Sequence, residues 1–224
     1  ISKNIKIKQI NNQFSNRYYI AISDKNYNFL LGLANTDVYE INKNIKLPKI
    51  VNKFIVFDLN FPKKFLEVNI KKLSNNNKII VCSTSSHKVY KINEILKYID
   101  ILFLNRSELM HLTKEKNIIK GIKKIQNKNK NIKIVSTNSK NNVIYLSNNK
   151  IQKITPPKIK IKNENGAGDA LAGMMLLLLA KGYNEKNILK YSVACGSYYA
   201  SGKKLKTKKD LINIKNLSKK VLIN

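Results

Sequence analysis

The chain has 224 residues, which is enough for one large α/β domain or two small ones with a continuous core. Its 43 Lys and Arg outnumber its 13 Asp and Glu, giving a formal net charge of +30. All basic residues except Arg17 and Arg106 are Lys, spread along the chain among many Asn and Ile. Nucleic-acid surfaces favour clustered Arg and interleaved aromatic residues, so biased coding explains the charge better than a specific nucleic-acid partner.

The cysteines, histidines and apolar runs exclude several other classes. Cys82 and Cys195 lie far apart in apolar stretches, which excludes a disulfide scaffold and favours a reducing, cytoplasmic location. His87 and His111 have no Cys, His or acidic partner at metal-ligand spacing, so a surface or helix-packing role is expected. The longest apolar run, residues 170–180, is about half of a membrane span, so no membrane partner is expected.

Short β-rich runs alternate with amphipathic segments, which predicts βαβ units and a mostly parallel sheet. Buried strands are predicted at residues 54–58, 79–83, 101–104 and 132–137. Helices are predicted at residues 63–74, 91–98, 115–126, 167–181, 185–200 and from 209. Two β-hairpins are predicted, one from residues 17–23 and 29–34, the other from residues 143–147 and 151–154.

The most informative stretch contains the string Gly-Ala-Gly-Asp at residues 166–169. Small residues allow a ligand to approach the backbone closely, and the apolar run that follows needs a helix beginning near that point. The N-terminus of a helix directs unpaired N–H groups at one point and so forms an anion site. Asp169, in the first turn, is placed to take a proton from an attacking hydroxyl. The alternative is a glycine-rich turn in which Asp169 only interacts with the helix dipole.

This stretch resembles the second signature of the ribokinase-like family of sugar and nucleoside kinases (the PfkB family), which is close to Asp-Thr-x-Gly-Ala-Gly-Asp followed by a Leu-rich helix. Gly-Ala-Gly-Asp is intact here, whereas Asn163 and Glu164 replace Asp-Thr. An Asn before the core suits the branch of the family that includes pseudouridine kinase. The resemblance implies that Asp169 is the general base. It also implies an anion hole for the transferred phosphate formed by Asn165, Gly166, Ala167 and Gly168.

A second motif, Asn105-Arg106-Ser107-Glu108, follows a predicted strand at the start of a helix and resembles the Asn-x-x-Glu motif of the family. Three residues apart, Asn105 and Glu108 can point the same way and hold a hydrated Mg²⁺ beside the phosphates of ATP. The alternative for these two residues is an N-cap with its capping Glu.

A third, weaker motif falls at residues 137–142, where the family has a Thr-x-Gly-x-x-Gly turn over the nucleotide. Ser139 and Asn142 stand here where Gly is usual. Asn tolerates left-handed backbone geometry and Ser does not gain from it, so the turn is expected in altered form. The resemblance implies ATP contacts from Asn105, Thr137 and Ser139.

Three fragments are similar to pseudouridine kinases within the family. The first hairpin resembles their lid, and residues 35–40 resemble the string that follows it, with Asn35 in place of an Asp. Asp58-Leu59-Asn60 resembles their Asp-x-Asn near the ribose. Residues 85–88 resemble their Ser-x-x-Lys, although Cys82-Ser83 replaces the preceding Glu-Pro. These fragments imply substrate contacts from Asn60 and Lys88.

The fold expected from this resemblance is α/β and ribokinase-like: a central, mostly parallel sheet flanked by helices, with a small β-hairpin lid. Residues 1–45 are expected to form the lid hairpin and its connection, and residues 46–224 the kinase core. The opening βαβ unit of the family has no counterpart, and the chain starts at Ile1 rather than Met. We therefore expect a fragment of a longer gene product.

The expected function is Mg²⁺- and ATP-dependent phosphorylation of the 5′-hydroxyl of a ribonucleoside, with pseudouridine the first candidate. The alternatives are another sugar or nucleoside kinase of the family, or a non-catalytic truncated remnant that binds nucleotide. The expected partners are a small-molecule nucleoside or sugar and ATP. The sequence leaves open a monovalent-cation requirement and a homodimer.

Overall fold

The structure, a computed structural model, describes residues 18–25, 29–35 and 47–224. The chain divides into two units, residues 1–45 and residues 46–224. In the first unit, β1 (Tyr18–Ser23) and β2 (Phe29–Asn35) form the predicted antiparallel hairpin. Arg17 and residues 36–40 of the predicted lid region lie outside the described residues.

The second unit is built on a seven-stranded sheet whose described strands follow one another in chain order. The strands are β3 (Phe54–Asp58), β4 (Lys78–Cys82), β5 (Ile101–Asn105), β6 (Lys133–Thr137), β7 (Val143–Ser147), β8 (Lys150–Thr155) and β9 (Leu222–Ile223). Strands β3 to β6 are parallel, and the later pairs are antiparallel. The mostly parallel sheet is therefore confirmed, and β9 is a short strand that the sequence did not indicate.

Helices cover both faces of this sheet. The described ones are α1 (Lys63–Leu73), α2 (Arg106–Thr113), α3 (Ile118–Lys128), α4 (Ala167–Ala180), α5 (Glu185–Ala200) and α6 (Lys208–Ser218). Successive side chains of a strand point to opposite faces. Ile79 and Val81 accordingly join the core under α1 to α3, while Ile80 joins the core under α4 and α5. None of the described helices is both long and apolar enough to cross a membrane.

The helix predicted at residues 91–98 is wrong, because two short 3₁₀ turns, Val89–Ile92 and Leu96–Tyr98, occupy this segment. Its backbone bonds join residues three apart, as in the 3.0 Å bond from the Tyr98 N–H to the Ile95 carbonyl. Buried apolar side chains occur at positions 89, 92, 95, 96 and 99. These spacings of three and four fit an α-helix as well as successive 3₁₀ turns, so the apolar pattern does not distinguish the two.

Candidate active site

The parallel strands end in polar or reactive side chains at one edge of the sheet. Asp58 ends β3 and pairs in register with Cys82, which ends β4. Asn105 ends β5 and pairs with Thr137, which ends β6. Ligands of open α/β sheets bind outside the carboxyl ends of their strands. This edge is therefore where the fold favours a binding site.

A cavity of about 660 Å³ lies at this edge, within the size range of small-molecule sites. Its walls come from the ends of β4, β5 and β6, the segment after β8, the start of α4 and the end of α5. The residues predicted from sequence that line it are Asn105, Glu108, Thr137, Ser139, Ala167, Gly168 and Asp169. Asn60, Lys88, Asn165 and Gly166 are not among its lining residues.

The start of α4 forms one end of the cavity. Gly166 is the N-cap residue with φ of 77°, a left-handed conformation that a residue with a side chain adopts at a cost. The N–H groups of Asn165 and Ala167 are engaged within the loop, by Asn163 Oδ1 at 2.9 Å and the Glu164 carbonyl at 3.2 Å. The next two N–H groups, of residues 168 and 169, have no intrahelical acceptor because the first helical bond joins Ala170 to Gly166.

Helix α5 holds this helix start in place by a close approach of backbone to backbone. A Cβ atom on Gly196 would lie 3.0 Å from the Ala167 carbonyl oxygen and 3.2 Å from Leu171 Cβ. Glycine therefore allows α5 to pack more closely against the first turn of α4 than a residue with a side chain would. That turn carries Asp169, whose position thus depends on this contact.

Asp169 is exposed to the cavity and shares it with other carboxylates. Burial, together with the smaller effects of the charges of Asp169, Asp58 and Glu108, raises the pKa of the Cys82 thiol to about 12. Three carboxylates thus lie near one thiol at the sheet edge. The protonated thiol is a poor nucleophile, so Cys82 contributes packing rather than covalent chemistry.

Asn105 and Glu108 form the capping box that the sequence left as an alternative. The Glu108 N–H donates to Asn105 Oδ1 at 2.9 Å, and the Asn105 N–H donates to Glu108 Oε2 at 2.7 Å. Glu108 is only 4% exposed, yet it lines the cavity. Its pKa is raised by burial and additionally by the charge of Asp169, while the bond from Asn105 opposes the shift.

The carboxylates of Glu108 and Asp169 suit a hard divalent cation such as Mg²⁺, which prefers oxygen ligands and keeps several waters. Within the described ranges, no group of three or more His, Cys, Asp or Glu side chains could hold a metal ion. A cation beside Glu108 and Asp169 would therefore take most of its ligands from water and phosphate, the usual arrangement for Mg²⁺ with nucleotides.

The turn after β6 makes a contact across the cavity that the sequence did not suggest. Ser139 has φ of 48°, so it occupies the left-handed region where the family pattern has Gly. Its hydroxyl donates to Glu164 Oε1, joining this turn to the loop before α4. Glu164 lines the same cavity, and its only sequence signal was its position beside Gly-Ala-Gly-Asp.

Asn60 and Lys88 lie together in a separate polar chain at the same sheet edge. The Lys88 ammonium donates to Asn60 Oδ1 at 2.8 Å. Asn60 in turn donates to both carboxylate oxygens of Asp58, from its N–H and its Nδ2, each at 2.9 Å. The two residues predicted to contact the substrate are therefore direct neighbours, and Asp58 orients Asn60.

The fold and site together define the class of protein. The sheet is mostly parallel, helices cover both of its faces, and a cavity at the strand ends is bounded by a Gly-Ala-Gly helix start. This is the ribokinase-like architecture of sugar and nucleoside kinases. The family model described as pfkB family carbohydrate kinase matches residues 3–209. The chain belongs to the pfkB family of carbohydrate kinases and is a phosphotransferase.

Solved structures support the same fold. The match to a carbohydrate kinase from Agrobacterium tumefaciens has a TM-score of 0.71 at 22% identity, covering 95% of this chain and 72% of that one. The match to phosphofructokinase-2 from Escherichia coli has a TM-score of 0.62 at 22% identity, covering 75% of this chain and 59% of that one. The match to Anopheles gambiae adenosine kinase has a TM-score of 0.58 at 16% identity, covering 66% of this chain and 50% of that one. No curated protein gives a significant match.

Proposed function

We propose that the chain transfers the terminal phosphoryl group of ATP to the 5′-hydroxyl of a ribonucleoside, with pseudouridine the first acceptor to test. The observation that carries the phosphoryl-transfer part is the position of Asp169. It faces the cavity from the first turn of α4, beside N–H groups with no intrahelical acceptor. The acceptor class rests on the resemblance of residues 58–60 and 85–88 to pseudouridine kinases.

In this mechanism Asp169 accepts the proton of the acceptor hydroxyl. The acceptor oxygen bonds to the γ-phosphorus while the bond from that phosphorus to the bridging oxygen of ADP breaks. The loop of residues 165–168 and the start of α4 stabilise the charge on the transferred group, mainly through the N–H groups of Gly168 and Asp169. Thr137 and Ser139 contact the nucleotide, and Asn105 and Glu108 would hold a hydrated Mg²⁺. The cation neutralises phosphate charge when bound.

The polar chain beside the cavity supplies the acceptor contacts in this proposal. Asp58 fixes Asn60, and Asn60 fixes the Lys88 ammonium. Together they present an amide and a cation to the hydroxyls of a ribose. Residues 1–45 are proposed to add the lid part of the acceptor region, on the sequence resemblance alone.

Another sugar or nucleoside kinase activity is the alternative acceptor assignment. One structural relative is an adenosine kinase and another a phosphofructokinase-2 that has been solved with fructose-6-phosphate. The same phosphofructokinase-2 has also been solved with potassium, so a monovalent-cation requirement should be tested alongside.

Phosphate transfer from ATP with Mg²⁺ to pseudouridine, uridine, adenosine, ribose and fructose-6-phosphate tests the proposal directly. Transfer chiefly to pseudouridine is the expected result, and preferential transfer to a sugar would move the assignment to the alternative. Asp169→Asn should lose most turnover and keep ATP binding. Glu94→Gln is the matched control, because Glu94 is exposed and lies outside the cavity lining. Equal loss of turnover and ATP binding in Asp169→Asn would contradict its role as the base.

A further inference from the structure

The two histidines of the chain, 24 positions apart in sequence, come together in the fold. The imidazole rings of His87 and His111 have centroids 6.2 Å apart, with their planes tilted by 58°. Both residues are exposed. Two rings that share one tetrahedral metal at the usual bond length of about 2.0–2.1 Å have centroids about 5 Å apart, so these exposed rings need to approach by about 1 Å to share a cation.

A hydrogen bond also orients the ring of His111 for metal binding. Its Nδ1 lies 2.9 Å from the Ser107 carbonyl oxygen. A carbonyl can only accept, so Nδ1 carries the hydrogen, and in the neutral ring the lone pair is then on Nε2. Metal-binding histidines generally donate their second ring nitrogen to a carbonyl or carboxylate in this way, which fixes both the tautomer and the ring orientation.

Ser107 also contacts the segment that carries His87. The hydroxyl of Ser86 lies 2.8 Å from the hydroxyl of Ser107. Ser107 therefore contacts both sides of the pair, through its carbonyl to His111 and through its hydroxyl to the neighbour of His87. The two rings are held near each other before any ligand arrives.

We propose that His87 and His111 form a surface site for a borderline transition-metal cation, Zn²⁺ or Ni²⁺. Imidazole favours these ions, whereas Mg²⁺ and Ca²⁺ prefer oxygen ligands. In the described part of the chain no third His, Cys, Asp or Glu completes the site. The cation therefore keeps open positions for water.

This site would connect two segments that the proposed function uses. His87 precedes Lys88, and His111 lies one turn after Glu108 on α2. A bound metal joins the segment of Lys88 to the helix of Glu108. Metal binding itself is measured without ATP or acceptor, so its outcome is separate from that of the proposed function.

The test is calorimetric titration of the chain with Zn²⁺ and with Ni²⁺, in the absence of nucleotide. We expect one metal per chain, and affinity in His87→Ala and in His111→Ala lower by more than about tenfold, since even loss of a second-shell partner costs 10- to 100-fold. Cys82→Ser is the matched control and should bind as the unaltered chain does. Unchanged binding in either histidine variant, or loss of binding in Cys82→Ser, would overturn the proposal.

A spectroscopic measurement on the unaltered chain needs no variant. The chain has only two histidines, so its proton NMR spectrum contains only two imidazole C2–H signals. Substoichiometric Ni²⁺ should broaden both signals together, whereas equal amounts of Mg²⁺ should leave them sharp. Broadening of one signal alone would show that the rings do not share the metal.

Discussion

Replacement of Gly196 by Ala tests how tightly α5 packs on the start of α4. The new Cβ would lie 3.0 Å from the Ala167 carbonyl oxygen, where ordinary contacts begin at 3.4 Å. Overpacking of this kind costs about 1–3 kcal/mol, while Ala gains about 1 kcal/mol over Gly within a helix. Gly173, in the exposed middle of α4, is the matched control because a Cβ there meets nothing within 4 Å. Gly173→Ala should show the helix gain alone.

Urea unfolding of the two variants measures the difference. We expect Gly196→Ala to be less stable than Gly173→Ala by about 1–3 kcal/mol, since the helix gain is common to both. In a chain of this length each kcal/mol corresponds to roughly 2–4 °C in Tm. Equal stability of the two variants would show that α5 can move away from Ala167 freely, and the argument that this contact positions Asp169 would fail.

Three further substitutions test other contacts. Burial raises the pKa of Glu108 in the folded state above its unfolded value of about 4.3. Protonated Glu108 therefore contributes fully to the free energy of unfolding below about pH 4.3, and this contribution is lost as the pH rises through the folded pKa. Glu108→Gln should therefore raise the unfolding free energy at pH 7 and change it little at pH 4; a loss at pH 7 would contradict this. Glu164→Thr removes a carboxylate from the cavity wall and should tighten ATP binding in calorimetry, and weaker binding would show that its bond to Ser139 matters more. Thr207→Ala removes the capping box of α6 and should lower the unfolding free energy by about 1 kcal/mol, whereas Thr207→Ser should not.

The sheet could be predicted because its signals are local. Runs such as Lys133–Thr137 are rich in β-branched residues, and Asn148 and Asn149 have the positive φ that a tight hairpin turn requires. The helix expected within residues 89–99 was wrong because the buried apolar residues there, three and four positions apart, fit an α-helix as well as successive 3₁₀ turns. Strand β9 has only two residues and is defined by its pairing with β8, which no local pattern reports.

Part of the candidate site was predictable because parallel strands end at the same edge of a sheet. Asn105 and Thr137 end neighbouring parallel strands, so they must meet at one edge, and the Gly-Ala-Gly-Asp string places Asp169 at a helix start facing it. The contact of Ser139 with Glu164 was not predictable, because it joins two loops 25 residues apart through side chains alone.

Strand β3 has a hydrogen-bonded neighbour on one side only among the described strands. Its side chains Phe54 and Val56 are about half exposed, at 45% and 50%. An apolar edge of this kind is a template for strand addition by another molecule. The net charge of +30 opposes such association by repulsion, and that repulsion weakens as salt screens it. Added salt should therefore promote self-association of the protein, and dilution into low salt should reverse it.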